Sequence, residues 1–314
     1  MIRVLSAGAQ SLVVDLGRPG LRHFGVPLSG AADRLSHQVA NWIVGNRAAA
    51  GTLECALGGL SVEAGSDCTV AVCGAEAGIA VNDRPEAPWR AIRLAAGDQL
   101  TLEPTSLGAR CYLAVAGGIE GERHFGSLST YTSARLGANG GRALASGDRL
   151  DIGERTAEPR TLPAGFRPRI GNHVVLRVRS VAEYERLSAE AQRRLFVRPW
   201  TASSATSRMG ARLGDETGGG VLALSDTRAM ISSPLLPGTL QVPPDGRPIL
   251  SLVDGHCTGG YVRAVQVIAP DMWLAGQIGP GTRVSFTRAF ADAVPEVTEK
   301  HVALWRGLIP DYSL

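Results

Sequence analysis

The sequence predicts a mainly β fold, built as two β-barrel or β-sandwich domains with a few short helices. Three observations carry this. From Gly51 to Val115 short apolar or alternating runs recur every roughly 8–12 residues between Gly, Pro, Asn and Asp, the spacing of a sandwich or barrel. The turn Gly97-Asp98-Gln99-Leu100 returns as Gly147-Asp148-Arg149-Leu150 and as Gly281-Thr282-Arg283-Val284, each leading into a strand and together spanning both halves. Between the halves, Glu158-Pro159 to Pro168-Arg169 is proline-rich and reads as a linker, which sets the domains at 1–158 and 170–314.

In chain order, residues 2–14 alternate as strand. The loop from Asp15 to Gly30 is too polar and glycine-rich to be regular, and loops of that length usually carry function. It brings Asp15, Arg18, Arg22 and His23 within nine positions, so acid, base and anion-binding groups lie together. A helix follows, with Ser29 or Gly30 as its cap, Leu35, Val39 and Trp42/Ile43 as its apolar stripe, and Gly45-Asn46 as its stop. Seven strands fill 52–115, from Thr52–Leu57 to Ala109–Val115. Residues 117–147, full of glycines and hydroxyls, read as a lid or a subunit-contact surface.

The second domain opens on a strand, Val174–Val178. Ser180-Val181-Ala182-Glu183 matches a capping box before Tyr184, and helical sequence resumes over Ala189–Phe196. Pro248–Val253 reads as a buried strand between two stiff turns, Pro243-Pro244-Asp245-Gly246 and Gly255 to Gly260. That arrangement is either a plain hairpin or a site. Strands follow at Val262–Ala269 and Arg283–Thr287, with a single helical turn at Leu274–Ile278 between them. Val294–Leu308 is a terminal amphipathic helix carrying Val297, His301/Val302 and Leu304/Trp305 on one side.

The totals exclude several classes. A net charge of +3 with scattered arginines does not suit a nucleic-acid binder. No apolar run nears the roughly 18 residues of a membrane span, and no apolar signal core follows Met1, so a cytoplasmic protein is expected. Five cysteines without a Cys-x-x-Cys pair read as reduced thiols, and no metal site is expected. All but one of the 32 basic residues are arginine; the lone lysine, Lys300, lies in a polar segment, which disfavours Ser-Lys or Schiff-base chemistry. No Walker-type phosphate loop is present.

An ordered set of motifs resembles the family of the C-type subunit of 5-oxoprolinase, also called KipA or allophanate hydrolase subunit 2, which is related to the carboxyltransferase domain of biotin-dependent urea carboxylase. The set comprises Asp15-Leu16-Gly17-Arg18-Pro19-Gly20, Gly25 to Arg34, Ala40-Asn41, Leu53-Glu54 with Leu57-Gly58-Gly59, and Gly126-Ser127 with Ser129-Thr130-Tyr131. It continues with Arg208-Met209-Gly210, Pro237 to Gly246 and Thr258-Gly259-Gly260-Tyr261. The sequence departs from the family pattern at Val14, Leu128, Ser207 and His256-Cys257, where glutamine, arginine, aspartate and Gln-Thr are usual. Losing an arginine and an aspartate alters charges that could hold an anionic substrate.

The resemblance implies cyclophilin-like β domains and a complex with a smaller partner, a B-type 5-oxoprolinase subunit similar to KipI or allophanate hydrolase subunit 1. It implies three activities: ATP-dependent hydrolysis of a small amide or lactam, carboxyl transfer from carboxybiotin to urea or a similar amide, or regulation as a non-catalytic KipA-type protein that binds a KipI-like inhibitor. The first is the leading expectation. No cofactor is expected to be covalently bound; ATP would act at the level of the complex, or carboxybiotin would arrive on another protein. Arg18 and Arg208 are assigned to carboxylate or phosphoryl oxygens, Gln241 and Thr258 to the amide, and the backbone at Gly259 and Gly260 to a developing oxyanion. His23, Ser29 and Tyr261 complete the binding set. Asp15, Asp245 and His256 are the proton carriers, although Asp245 reads equally as a turn aspartate bonded to its own backbone.

Overall fold

The computed structural model describes residues 1–154, 157–215 and 220–314. They form two compact units: Met1–Arg18, Ser29–Ile170 and Leu304–Leu314 make the first, and Pro19–Leu28 with Gly171–Ala303 the second. Most of the loop 15–30, which precedes the first helix in sequence, thus belongs to the later unit.

The first unit holds two antiparallel sheets. One runs, in spatial order, Arg149–Leu150, Ile2–Ala7, Leu60–Ala64, Gln99–Leu102, Ile79–Val81 and Arg84–Glu86; the other runs Gln10–Val14, Thr52–Ala56, Leu107–Val115, Cys68–Glu76 and Ala91–Leu94. Their inner faces share one core that includes Ile2, Val4, Leu53, Leu60, Val62, Val70, Leu100 and Leu113. In Leu60–Ala64 the buried positions alternate, as in a strand with one wet face. Leu107–Val115 and Cys68–Glu76 are buried almost continuously, because helix α1 (Arg34–Ile43) packs on them. The mainly β expectation holds in both units, and among the described residues no helix is long and apolar enough to cross a membrane.

Helix α1 carries the expected stripe of Leu35, Val39 and Ile43, but its cap is Asp33 rather than Ser29 or Gly30. The Asp33 carboxylate accepts from Ser36 N at 2.9 Å and from Ser36 Oγ at 2.6 Å. Ser29 and Gly30 lie earlier, both at positive φ (51° and 81°). At Gly30 a Cβ would meet the backbone of Leu16 and Gly17 within 2.9 Å, so glycine is required by close approach as well as by dihedral.

The second unit is a closed seven-stranded barrel. Its order is His173–Ser180, Val262–Val267, Thr239–Val242, Ile249–Ser251, Gly210–Gly214, Trp200–Ala202 and Arg283–Arg288, which pairs in parallel with the first. Leu176, Trp200, Leu213, Leu240, Leu250, Val265 and Phe286 fill it. A two-stranded ribbon, Ser233–Pro234 with Thr258–Gly259, stands apart from the barrel sheet. Thr239–Val242 and Ile249–Ser251 form a hairpin whose turn closes with Gly246 N donating to Pro243 O at 2.9 Å, Gly246 having φ 72°.

The capping box expected at Ser180–Glu183 does not form. Tyr184–Arg186 is only a 3-10 turn, and α2 (Ala189–Val197) begins after Ser188, whose hydroxyl accepts from Ala191 N. Glu183 is held elsewhere, paired with Arg263 of a barrel strand. The expected turn at 274–278 is α3, Met272–Gly276, and α4 spans Ala293–Arg306. On α4 Trp305 is buried, whereas Leu304, one position and about 100° away, is 55% exposed. The repeated turn has a common physical basis: Asp98 accepts from Ala95 N (2.7 Å), Asp148 from Ala145 N (2.8 Å) and Thr282 Oγ1 from Gly279 N (3.1 Å), each a side chain bonding the backbone three residues back.

Candidate functional site

In the first unit the sequence-selected residues form a dense polar knot. The Asp15 carboxylate is buried and accepts from Ser127 Oγ (2.6 Å), Ser129 Oγ (2.7 Å), Leu128 N (2.7 Å) and Gly17 N (2.8 Å). Arg123 approaches one of its oxygens at 3.6 Å. Burial of a carboxylate is tolerable when donors surround it, and most of these donors come from the backbone and hydroxyls of the Gly126–Thr130 segment. Asp15 therefore organises that segment. Arg18, 1% exposed, donates to the carbonyls of Ser129 and His124. Ser29 is buried, its hydroxyl without a hydrogen-bond partner among the described residues. The Leu128 side chain joins the apolar core, while its N–H serves Asp15.

Sequence reasoning did not single out a second buried network here. Tyr112 Oη donates to Glu54 Oε2 at 2.8 Å and accepts from Asp33 N at 2.7 Å, and Ala32 N donates to the same Glu54 oxygen at 2.9 Å. Burial pushes the Tyr112 phenol well above its usual range. His37, fully buried with Nδ1 2.8 Å from Thr52 Oγ1, is pushed down to about 4 by the same desolvation. A glutamate inside the apolar strand Thr52–Ala56 was the available signal.

In the second unit Arg208 and Asp254 form a bidentate pair, both buried. Arg208 is thus in contact with the fold's own carboxylate, and Asp254 is a residue the sequence reading omitted. Gln241, also buried, has its side-chain nitrogen 2.5 Å from where a Cβ on Gly259 would stand. The bare glycine makes room for that amide. His256 and Thr258 are exposed, and His23 is exposed with its ring on that of Phe24, centroids 3.9 Å apart. Asp245 is exposed and accepts from Arg247 N at 3.1 Å, the turn-aspartate geometry.

Three of the selected residues, Asp245, Gly260 and Tyr261, line one cavity of about 240 Å³. Its other walls are mostly apolar, from Leu222, Leu224, Met230, Val242 and Val262, with Arg228 and Thr227 among the polar groups. A small molecule with an apolar face and a hydrogen-bonding edge would match such a lining. The segment 221–230 that supplies much of it has no periodicity by which sequence could have flagged it.

A two-unit, mainly β chain whose second unit is a closed barrel with a small, largely apolar cavity beside a glycine-rich turn defines the class. The chain belongs to the carboxyltransferase domain family, subdomains A and B, which it matches over residues 24–288. It is 37% identical over 290 residues to the C subunit of 5-oxoprolinase from Escherichia coli K12, covering 92% of this chain and 91% of that one. It is 32% identical over 288 residues to the C subunit of 5-oxoprolinase from Haemophilus influenzae, covering 91% and 90%. Among solved structures, the Kluyveromyces lactis urea carboxylase superposes with a TM-score of 0.91 at 25% identity, covering 98% of this chain but 29% of that much longer one.

Proposed function

We propose that this chain is the C-type subunit of a cytoplasmic heteromeric enzyme that opens a small lactam or amide with ATP, working with a B-type or KipI-like partner. The observation that carries the reading is the end-to-end match to the C subunit of 5-oxoprolinase, 37% identity over 92% of this chain and 91% of the relative. The cavity supports a small substrate: about 240 Å³ lies below the roughly 300–1,000 Å³ typical of drug-sized ligands.

In this reading the cavity holds the apolar face of the substrate, and Tyr261 and Asp245 orient its polar edge. Gln241 and Thr258 bind the amide. Backbone N–H groups near Gly259 and Gly260 face the oxygen that gains charge when the C–N bond is attacked. His256, exposed at the turn, carries protons between the site and solvent. Asp15 and Arg18 contribute by shaping the Gly126–Thr130 segment, and Arg208 by holding Asp254.

A second reading, carboxyl transfer from carboxybiotin, is favoured by the 0.91 TM-score to urea carboxylase. Lys300, the sole lysine of these 314 residues, is exposed on α4 and paired with Glu296 at 2.6 Å; in this reading carboxybiotin is the co-substrate brought to the site. The test is the complex co-expressed with its partner subunits, offered 5-oxoproline with ATP in one arm and urea with carboxybiotin in the other. Glutamate and ADP formed together support the first reading. Carboxylated urea without lactam opening supports the second, and turnover in neither arm leaves the regulatory KipA-type role.

A further inference from the structure

Arg22 sits in the 3-10 turn Arg22–Phe24, within the segment 19–28 that belongs to the barrel unit. Its guanidinium spans two carbonyls more than two hundred residues away: Nε donates to Leu235 O at 3.1 Å, and Nη2 donates both to Leu235 O and to His256 O, the latter at 2.7 Å. Those carbonyls flank the two arms of the ribbon Ser233–Pro234/Thr258–Gly259. Between them Leu235 N donates to Cys257 O at 2.9 Å. The guanidinium therefore closes one end of the ribbon as a crosspiece. From the other end, the second arm runs into Gly260 and Tyr261 on the cavity wall.

The contacts are made to neutral oxygens. Among the described residues Arg22 forms no ion pair with a carboxylate, and burial lowers its pKa while the nearby Cys257 thiol works in the opposite direction. The cation meets carbonyl dipoles in charge-assisted hydrogen bonds, and what the fork adds is direction, since one rigid plane fixes two acceptors at once. Arg18 and Arg208, the arginines selected for anion binding, are both deeply buried, whereas Arg22 is only partly so and bears directly on the glycine-rich turn.

We propose that Arg22 is a positioning residue: by fixing the Leu235 and His256 carbonyls it sets the course of the backbone from His256 to Gly260, and through it the cavity wall at Gly260 and Tyr261. The catalytic part of this proposal rests on the cavity being the substrate site; the structural part does not. Lysine could reach one of the carbonyls but could not hold both in a plane.

The test uses the full chain, co-expressed with its partner subunits, carrying Arg22→Lys, Arg22→Gln or Arg22→Gly. Hydrogen exchange is expected to accelerate at the Leu235 amide and across Cys257–Tyr261, with the barrel strand Val174–Val178 unchanged. Lactam turnover is expected to fall on the order of 100-fold in kcat, as for a reacting geometry displaced by about 1 Å, less in the Lys than in the Gln variant. Added guanidinium should restore part of the turnover of the Gly variant, which a general loss of stability would not allow. Unchanged exchange at Cys257–Tyr261, or exchange rising evenly over the barrel, overturns the proposal. A wild-type complex inactive on every lactam and amide would count against the proposed function alone, and the exchange data would still decide the role of Arg22.

Discussion

The Arg208 guanidinium grips the Asp254 carboxylate with Nε to Oδ2 at 2.8 Å and Nη2 to Oδ1 at 3.1 Å, the two side chains only 6% and 8% exposed. A buried pair is costly to break from one side, because the charge that remains has lost its partner but not its desolvation. Arg208→Ala is expected to destabilise the second unit by about 3–5 kcal/mol. The double variant with Asp254→Ala should cost less than the sum of the two singles. Chemical denaturation of the four proteins measures this; additive effects would mean that the pair is not energetically coupled.

Asp15 is expected to act on stability through its donors. Ser127→Ala and Ser129→Ala should each cost about 1.5–3 kcal/mol, the range for hydrogen bonds to a charged group. Asp15→Asn should cost more than either, since it disturbs acceptors for four donors. If Asp15 carried the reaction's proton instead, Asp15→Asn would abolish turnover while leaving the melting temperature in place.

His37 makes stability depend on pH. Its folded-state pKa of about 4 lies below the ordinary 6.5 because burial disfavours the cation. The unfolded chain therefore binds the proton first. The contribution is fully present above about pH 6.5 and is lost as pH falls toward 4, amounting to about 3 kcal/mol across that window. Denaturation between pH 7 and pH 4 should show this slope, and His37→Gln should flatten it. An equal slope in both proteins would assign the effect to other groups.

Gly259→Ala separates binding from folding. The new Cβ would fall 2.5 Å from the Gln241 side-chain nitrogen, the far end of a flexible side chain that can swing aside. Stability is expected to change by less than about 1 kcal/mol, because Gly259 is not in the left-handed region and the reduced freedom of the unfolded chain offsets the local shift, while KM for the amide rises as the Gln241 amide leaves its place. A large drop in melting temperature with an unchanged KM would show that Gly259 serves packing alone.

The strands were legible because their physics is local. Val174, Leu176 and Val178 are buried at every second position, and α1 carries its stripe at helical spacing. What the sequence conceals are long-range partners. Ser180–Glu183 has the letters of a capping box, but Glu183 is claimed by Arg263, eighty positions on. Asp15 and Arg18 look like free polar groups in a loop until residues more than a hundred positions away, Ser127 and Ser129, close around them. Arg208 is assigned to anions with its buried partner Asp254 out of view. Within the barrel unit the glycine-rich turn did announce a special place, and Gly260 and Tyr261 lie on the cavity wall. The opposite wall, 221–230, comes from irregular sequence with no pattern to read.

The most direct test is isotopic: 5-oxoproline labelled in the ring, ATP, and the purified complex with and without this chain. Labelled glutamate appearing in proportion to ADP only when the chain is present is the predicted result. Labelled glutamate forming equally well from the partner subunits alone would contradict a catalytic role for this chain.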